Sequence, residues 1–403
     1  MLAPGWSGTT SVIVVGAGIG GLTAALALAQ RGIRVSVIEQ APRLDPAGAG
    51  VQLSPNAVRV LDALGLRERL APHVTAPAEL RVLDGRSGRG LAGAVLGRAV
   101  EERYGAPYWV IHRADLQGTL LEAARANPEV SLRLGTRVEG FAPHGQGVTV
   151  TALSGGGRVE ERGAALIGAD GLWSHLRGCL GHGDEPRFAQ HTAWRALVSA
   201  DAAITELSQA ALNLWLGRDA HVVHYPVRGG RLINIVAIVR DNWRNPGWTS
   251  RGDRTEILAH FPKGTWAPEL RAILGAAEHW EKWALYDRPP LRRWGNGGPV
   301  TLLGDAAHPM LPYLAQGAAM AIEDASVLAE CFASTADDLV GAMRSYEQQR
   351  RPRTARVQRA ARRNAVLYHM GGIPAVLRGV ALGLMGRQRL ITIYDWLYGW
   401  KQR

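Results

Sequence analysis

The sequence predicts an α/β fold: a domain built on a parallel βαβ unit, interrupted by a β-rich insertion and closed by C-terminal helices. Three observations predict it. Residues 11–15 form an apolar, β-branched run, followed by a glycine-rich turn, an Ala/Leu-rich stretch at 22–31 and a second apolar run at 33–38. That order is a strand, helix and strand buried between layers. Between about 187 and 286 the pattern changes to longer alternating runs with frequent Trp, as for an antiparallel sheet with one face against a cavity. From 344 to the end the pattern is helical.

The elements follow in order. Gly32 stops the first helix, because glycine takes the left-handed conformation after a last turn. Residues 53–70 read as a helix broken near Gly65, and 116–126 as a helix entered through Asp115 as N-cap. Strands with polar turns are expected over 132–150, and a short apolar strand over 165–171. The insertion should hold strands at 192–198, 211–216, 220–227 and 231–239. Residues 300–303 return to a short buried strand, followed by a helix near 318–333. The 403 residues exceed one ordinary core. The expected division is 1–185 and 286–345 for the first domain, 186–285 for the insertion and 346–403 for the helical tail.

Charge and cysteine content exclude several classes. Lys and Arg number 46 and Asp and Glu 35, a net charge of +11. The basic residues are nearly all Arg and scattered. Their densest stretch, 350–363, reads as a solvated helix face and not a nucleic-acid patch. Two distant cysteines, Cys179 and Cys331, build neither a disulfide framework nor a metal pair, so no metal is expected and a cytoplasmic location is. Residues 1–10 lack a signal-peptide pattern. The apolar stretch 371–386 is interrupted by Arg378 and falls short of the roughly 20 residues of a membrane span.

Three motifs carry chemistry. The first is Gly16-Ala17-Gly18-Ile19-Gly20-Gly21 between strand and helix. Its glycines permit a tight turn, close backbone approach to a pyrophosphate and tight helix packing, with the helix N-terminus facing the anion. Glu39 ends the second strand about 20 residues on, where an acid binds ribose hydroxyls. This is a Rossmann-like dinucleotide unit. The second motif is Gly168-Ala169-Asp170-Gly171, continuing to Arg177. The third is Gly304-Asp305-Ala306-Ala307-His308-Pro309, running on to Gln316-Gly317-Ala318 and a helix. An acid at a strand end accepts bonds from a polyol, and a helix start offers N–H groups to an electron-rich ring.

Together these motifs resemble the single-component FAD-dependent aromatic hydroxylases of the para-hydroxybenzoate hydroxylase fold. The resemblance is to the salicylate hydroxylase and 3-hydroxybenzoate 6-hydroxylase branch, which includes 6-hydroxynicotinate 3-monooxygenase. It runs from about residue 11 through Asp395-Trp396-Leu397-Tyr398. It implies an FAD monooxygenase that spends NADH or NADPH and O2 to hydroxylate a small phenolic acid through a flavin hydroperoxide. It has no separate nicotinamide domain and acts as monomer or homodimer. By resemblance Gly16, Gly18, Gly20 and Gly21 cradle the pyrophosphate and Glu39 holds the adenosine ribose. Arg113 and Asp170 reach the FAD, Asp305 binds its ribityl region, and Gly317 and Ala318 lie at the flavin's pyrimidine edge. Pro312, Tyr313 and Gln316 line the substrate side.

His221 and Tyr225 are four apart on a strand of the insertion and share one face. They resemble the His and Tyr that related hydroxylases place beside the substrate hydroxyl. A His near neutral pKa can take the phenolic proton; the alternative is a pair of half-buried strand residues. His224 points the other way and reads as structural. Arg195 either pairs with a substrate carboxylate or is an interdomain structural arginine. The competing functional readings are another flavoenzyme of this fold and a flavin-binding redox sensor.

Overall fold

The computed structural model describes residues 11–44, 48–200, 211–245, 250–335 and 338–402, apart from the side chains of 386–389. The signal-peptide reading of residues 1–10 lies outside them. The opening unit forms as its pattern demands. Val12–Val15 and Val35–Ile38 are fully buried parallel strands joined by the helix Ile19–Gln30. That helix is apolar around most of its circumference because it is covered on both sides, by the sheet and by the helix Gly317–Ser334. Gly32 takes φ +76°, and its N–H bonds the Ala29 carbonyl.

The parallel sheet has five strands in the order Val300–Leu302, Ala165–Gly168, Val12–Val15, Val35–Ile38, Val130–Arg133. The strands from the second and third motifs therefore lie beside the first, although some 150 and 290 residues separate them in sequence from it (Gly16 against Gly168 and Gly304). All three motifs emerge at the same end of the sheet, where α/β folds bind ligands.

The second sheet has eight strands. Six come from the predicted insertion: Ser250–Asp253, His279–Asp287, Arg187–Ser199, Leu232–Arg240, Ala220–Val227 and Ala211–Gly217. The remaining two, Glu79–Asp84 and Gly90–Val95, come from the region that the sequence boundaries assign to the first domain. Glu79–Asp84 pairs with Ala211–Gly217 in parallel, so the sheet is mixed and not purely antiparallel. One face is sealed by Trp194, Trp280, Phe261 and Leu270. The other faces the first domain and the terminal helices.

Two local readings change. The helix expected to start at Asp115 begins at Arg113, capped by His112, whose Nδ1 accepts the Ala114 N–H at 3.3 Å. Asp115 instead forms a two-bond ion pair with Arg228 at 2.8 and 2.9 Å, tying the helix to the large sheet. The helix after Leu53 begins at Pro55, since Leu53 ends the strand Gly50–Leu53. Among the described residues no single helix is long and apolar enough to cross a membrane.

Candidate active site

The glycine loop is shaped by backbone approach. Gly16 has φ +107°, and a Cβ there would sit 2.4 Å from the Ala169 carbonyl oxygen. A Cβ on Gly21 would lie 1.9 Å from the Gly16 oxygen, and one on Gly20 would press on Leu303 and Ala321. Gly18 differs: a Cβ there meets nothing within 4 Å. It borders open space at the N-terminus of the Ile19–Gln30 helix. Glu39 closes the loop from the next strand, accepting from the Ala17 and Ala41 N–H groups at 2.7 and 2.8 Å. A carboxylate offers about four lone-pair sites, so capacity for ribose hydroxyls remains.

Asp170 serves its own turn. Its carboxylate accepts from Ser174 Oγ at 2.6 Å and Leu176 N–H at 3.0 Å, and burial raises its pKa despite those bonds. Arg177, fully buried, then spans to the third motif through the Ala306 and Ala307 carbonyls and pairs with Asp184. Asp305 stands exposed on a 3-10 turn between buried Leu303 and Ala306. Surrounding protein pushes its carboxyl pKa up, while His308 and Arg113 pull against that. Arg113 runs along Gly48 within electrostatic range of Asp305; desolvation lowers its guanidinium pKa and Asp305 opposes. The helix Gly317–Ser334 starts without a side-chain cap, leaving the first-turn N–H groups around Gly317 and Ala318 for a ligand.

A buried ion cluster holds this arrangement. Arg350 bonds Glu323 and Asp324 at 2.6 Å each, Arg353 adds two bonds to Glu323, and His308 bonds Asp324 at 2.5 Å. Asp324 also accepts the Gly304 N–H, which fixes the turn carrying Asp305. Burial would lower the Arg350 pKa, but the two carboxylates outweigh it and raise it. Arg350→Met should therefore leave two buried carboxylates undercompensated and destabilise the fold by about 3–5 kcal/mol. Urea unfolding checks this; a midpoint within error of the native protein would refute it.

A cavity lies between the large sheet and the terminal helices. His221, Pro312 and Tyr313 line it, as expected, with Leu212, Leu214 and Val223 from the sheet. Its character comes from residues that the sequence did not single out: Gln52, Tyr108, Tyr368, Tyr394 and Tyr398. No local pattern flags them, because they come from four separate regions of the chain. Burial pushes the Tyr313 hydroxyl pKa up, and that hydroxyl has no hydrogen-bond partner. Tyr108 donates to Gln52 at 2.6 Å. Burial holds the His221 pKa well below the ordinary imidazole value, which corrects the expectation of a near-neutral base.

Three expected site residues sit elsewhere. Tyr225 shares the face of His221 but lies one layer behind the cavity wall, packed on Gly50 and Tyr108. Gln316 is buried and committed to structure, donating to Ser54 Oγ at 2.9 Å and accepting from Asn56 at 3.2 Å. Arg195 does not reach the cavity: its guanidinium stacks 3.3 Å from the Trp283 ring centre and borders a second cleft with Gly48 and His112. Burial lowers its pKa to about 9. His224 faces away, as expected, accepting from Trp215 Nε1 at 3.0 Å.

A family model described as FAD binding domain matches residues 9–361. The chain belongs to that family. It is an FAD-dependent aromatic hydroxylase by this membership and by its relatives. A 3-hydroxybenzoate 6-hydroxylase of Klebsiella oxytoca is 37% identical over 97% of this chain and 96% of its own. One from Aquipseudomonas alcaligenes is 39% identical over 96% and 97%. The 3-amino-4-hydroxybenzoate 2-monooxygenase PtnB3 of Streptomyces platensis is 38% identical over 97% and 96%. Among solved structures, Klebsiella pneumoniae HpxO complexed with FAD and uric acid superposes with TM-score 0.85 at 29% identity, covering 98% of both chains. A salicylate hydroxylase substrate complex gives 0.80 at 26%, covering 97% and 96%.

The hydroxylase's own geometry fits FAD. The open space over Gly18, the uncapped N–H groups at Gly317, the Arg113 guanidinium and the exposed Asp305 carboxylate supply donors for a pyrophosphate and acceptors for a polyol.

Proposed function

We propose that this hydroxylase adds one hydroxyl group to a small phenolic acid of the hydroxybenzoate type, spending NADH or NADPH and O2. The observation that carries the reading is the placement of His221 and Tyr313 in an apolar, phenol-lined cavity. The wall loop that carries Pro312 and Tyr313 runs directly into Gly317. The names of its relatives support it: they act on 3-hydroxybenzoate and 3-amino-4-hydroxybenzoate.

The overall balance is phenol, reduced nicotinamide, O2 and a proton giving the dihydroxy product, oxidised nicotinamide and water. FAD, when bound, supplies the redox chemistry by which nicotinamide electrons and O2 are used. It would be held by Gly16, Gly18, Gly21, Glu39, Arg113, Asp305, Gly317 and Ala318. The chain does the rest. Apolar walls keep water out. The Tyr313 hydroxyl, unpartnered inside the protein, offers a hydrogen bond to a substrate oxygen. His221 accepts the phenolic proton, and the resulting phenolate is far the better nucleophile at its ring carbon.

The test is a ligand panel on FAD-loaded protein: salicylate, 3-hydroxybenzoate, 4-hydroxybenzoate, 3-amino-4-hydroxybenzoate and 6-hydroxynicotinate, with NADH and NADPH in turn. At least one hydroxybenzoate should accelerate nicotinamide oxidation and yield a product one oxygen atom heavier. If only 6-hydroxynicotinate does so, the substrate is the N-heteroaromatic one. A background rate untouched by every ligand would sink the reading.

A further inference from the structure

Three imidazoles from distant parts of the chain form a continuous line away from the cavity. His221 Nδ1 lies 2.8 Å from His369 Nε2, and His369 Nδ1 lies 3.0 Å from His191 Nε2. His191 Nδ1 lies 2.7 Å from the Ala189 carbonyl oxygen. His221 belongs to the strand Ala220–Val227, His369 caps the C-terminal end of the helix Leu339–Tyr368, and His191 belongs to the strand Arg187–Ser199. The last is set by an irregularity. Strand register shifts between Phe188 and Thr192, and Gln190 takes φ 57°, a left-handed conformation uncommon outside glycine. Exposure rises along the line: His221 is buried, whereas His369 and His191 are partly open.

The carbonyl at the end fixes the direction. A carbonyl oxygen only accepts, so His191 Nδ1 carries the hydrogen. A neutral imidazole has one N–H and one lone pair. His191 Nε2 therefore accepts from His369 Nδ1–H, and His369 Nε2 accepts from His221 Nδ1–H. His221 Nε2 is left with a lone pair, on a side chain that lines the cavity.

We propose that His221, His369 and His191 form a proton relay that carries the substrate's phenolic proton from the cavity to the protein surface. The proposal rests on the phenolic reading above. The substrate O–H bond breaks, its proton bonds to His221 Nε2, and the electron pair stays on the phenolate oxygen. The Nδ1 proton of His221 passes to His369 Nε2, and the Nδ1 proton of His369 passes to His191 Nε2. The charge arrives at His191, whose Nδ1–H leaves the Ala189 carbonyl and gives its proton to solvent at this partly open residue. A proton taken up at His191 Nδ1 and passed inward restores the three starting tautomers, the hydrogen on His221 Nε2 going to the phenolate oxygen of the product.

The surroundings suit each station. His221 faces the rings of Tyr313 and Tyr368, with ring centres 5.2 Å away in both cases. Burial, with the neighbouring imidazoles, holds its pKa well below the ordinary imidazole value. His369 has Arg378 nearby from the helix Gly372–Thr392, and burial lowers its pKa to about 3. It also sits at a helix C-terminus, whose carbonyl dipoles favour a passing positive charge. Burial lowers the His191 pKa as well, and Arg240 and Asp219 act on it in opposite senses.

The test uses FAD-loaded protein with nitrogen-15-labelled histidine rings. Two-bond proton–nitrogen spectra should show Nδ1–H tautomers at all three positions. Mixing with 3-hydroxybenzoate in weakly buffered indicator dye should release a proton. His369→Gln, which can hydrogen-bond but not carry a proton, should bind 3-hydroxybenzoate as before by flavin absorbance while releasing the proton about tenfold slower or more. His191→Gln, at the open end, should be slowed likewise and recover in imidazole buffer. An Nε2–H tautomer at His221 or His369, or release within about twofold of native in both variants, overturns the relay. If 3-hydroxybenzoate and the other hydroxybenzoates neither bind nor release a proton while the tautomers stand as stated, the substrate reading falls and the relay's geometry is upheld.

Discussion

Gly18→Val is expected to fold normally and to lose FAD. The Gly18 backbone is extended, with φ −73° and ψ −179°, a conformation open to any residue. A Cβ at this position meets nothing within 4 Å, so the apoprotein accommodates the side chain. The same open space is where a pyrophosphate must approach the helix N-terminus. Filling it denies the anion two or so backbone N–H bonds, each worth about 1.5–3 kcal/mol to a charged group. The sum corresponds to roughly 10²- to 10⁴-fold weaker binding. Purified Gly18→Val should be colourless, with the thermal midpoint of native apoprotein. Gly21→Val is the contrast: its Cβ would fall 1.9 Å from the Gly16 oxygen, so it should lose the fold itself. A yellow, fully loaded Gly18→Val protein would remove the pyrophosphate assignment from this loop.

His221→Gln should keep FAD and lose coupled hydroxylation by about 10²- to 10⁴-fold, the usual worth of a positioned proton acceptor. The amide preserves a hydrogen bond toward His369 Nε2, which lies 2.8 Å from the native ring, but accepts no proton. Nicotinamide oxidation should continue, with its electrons appearing as hydrogen peroxide. Tyr225→Phe should behave differently. Its hydroxyl lies behind Gln52 and Tyr108 and against Gly50, so product yield should fall less than about tenfold. Product and peroxide measured against nicotinamide consumed give both answers. Equal coupling in native and His221→Gln protein would show that another group takes the proton.

The site was legible in the sequence where it is local. The Gly16–Gly21 loop, Glu39, Asp305 and the start of the Gly317 helix lie where their motifs imply, since strand, turn and helix start are encoded by adjacent residues. The alternation in 220–227 correctly set His221 and Tyr225 on one face and His224 on the other. It could not say that the wall of the cavity passes between His221 and Tyr225. Gln316 looked like a ligand residue beside Gly317, yet its partners Ser54 and Asn56 lie some 260 residues away. Asp115 looked like a cap, yet Arg228 on the other sheet claims it.

By itself the sequence determined the α/β class, the dinucleotide loop and the face assignments, because each depends on the intrinsic period of a strand or helix and on the steric demands of glycine. Only the tertiary structure decided that Glu79–Asp84 and Gly90–Val95 complete the large sheet, that five tyrosines ring the cavity, and that His221, His369 and His191 line up. Those outcomes depend on pairing and packing between segments up to 178 residues apart in the relay, where hydrophobic burial and register, not neighbouring residues, select the partner.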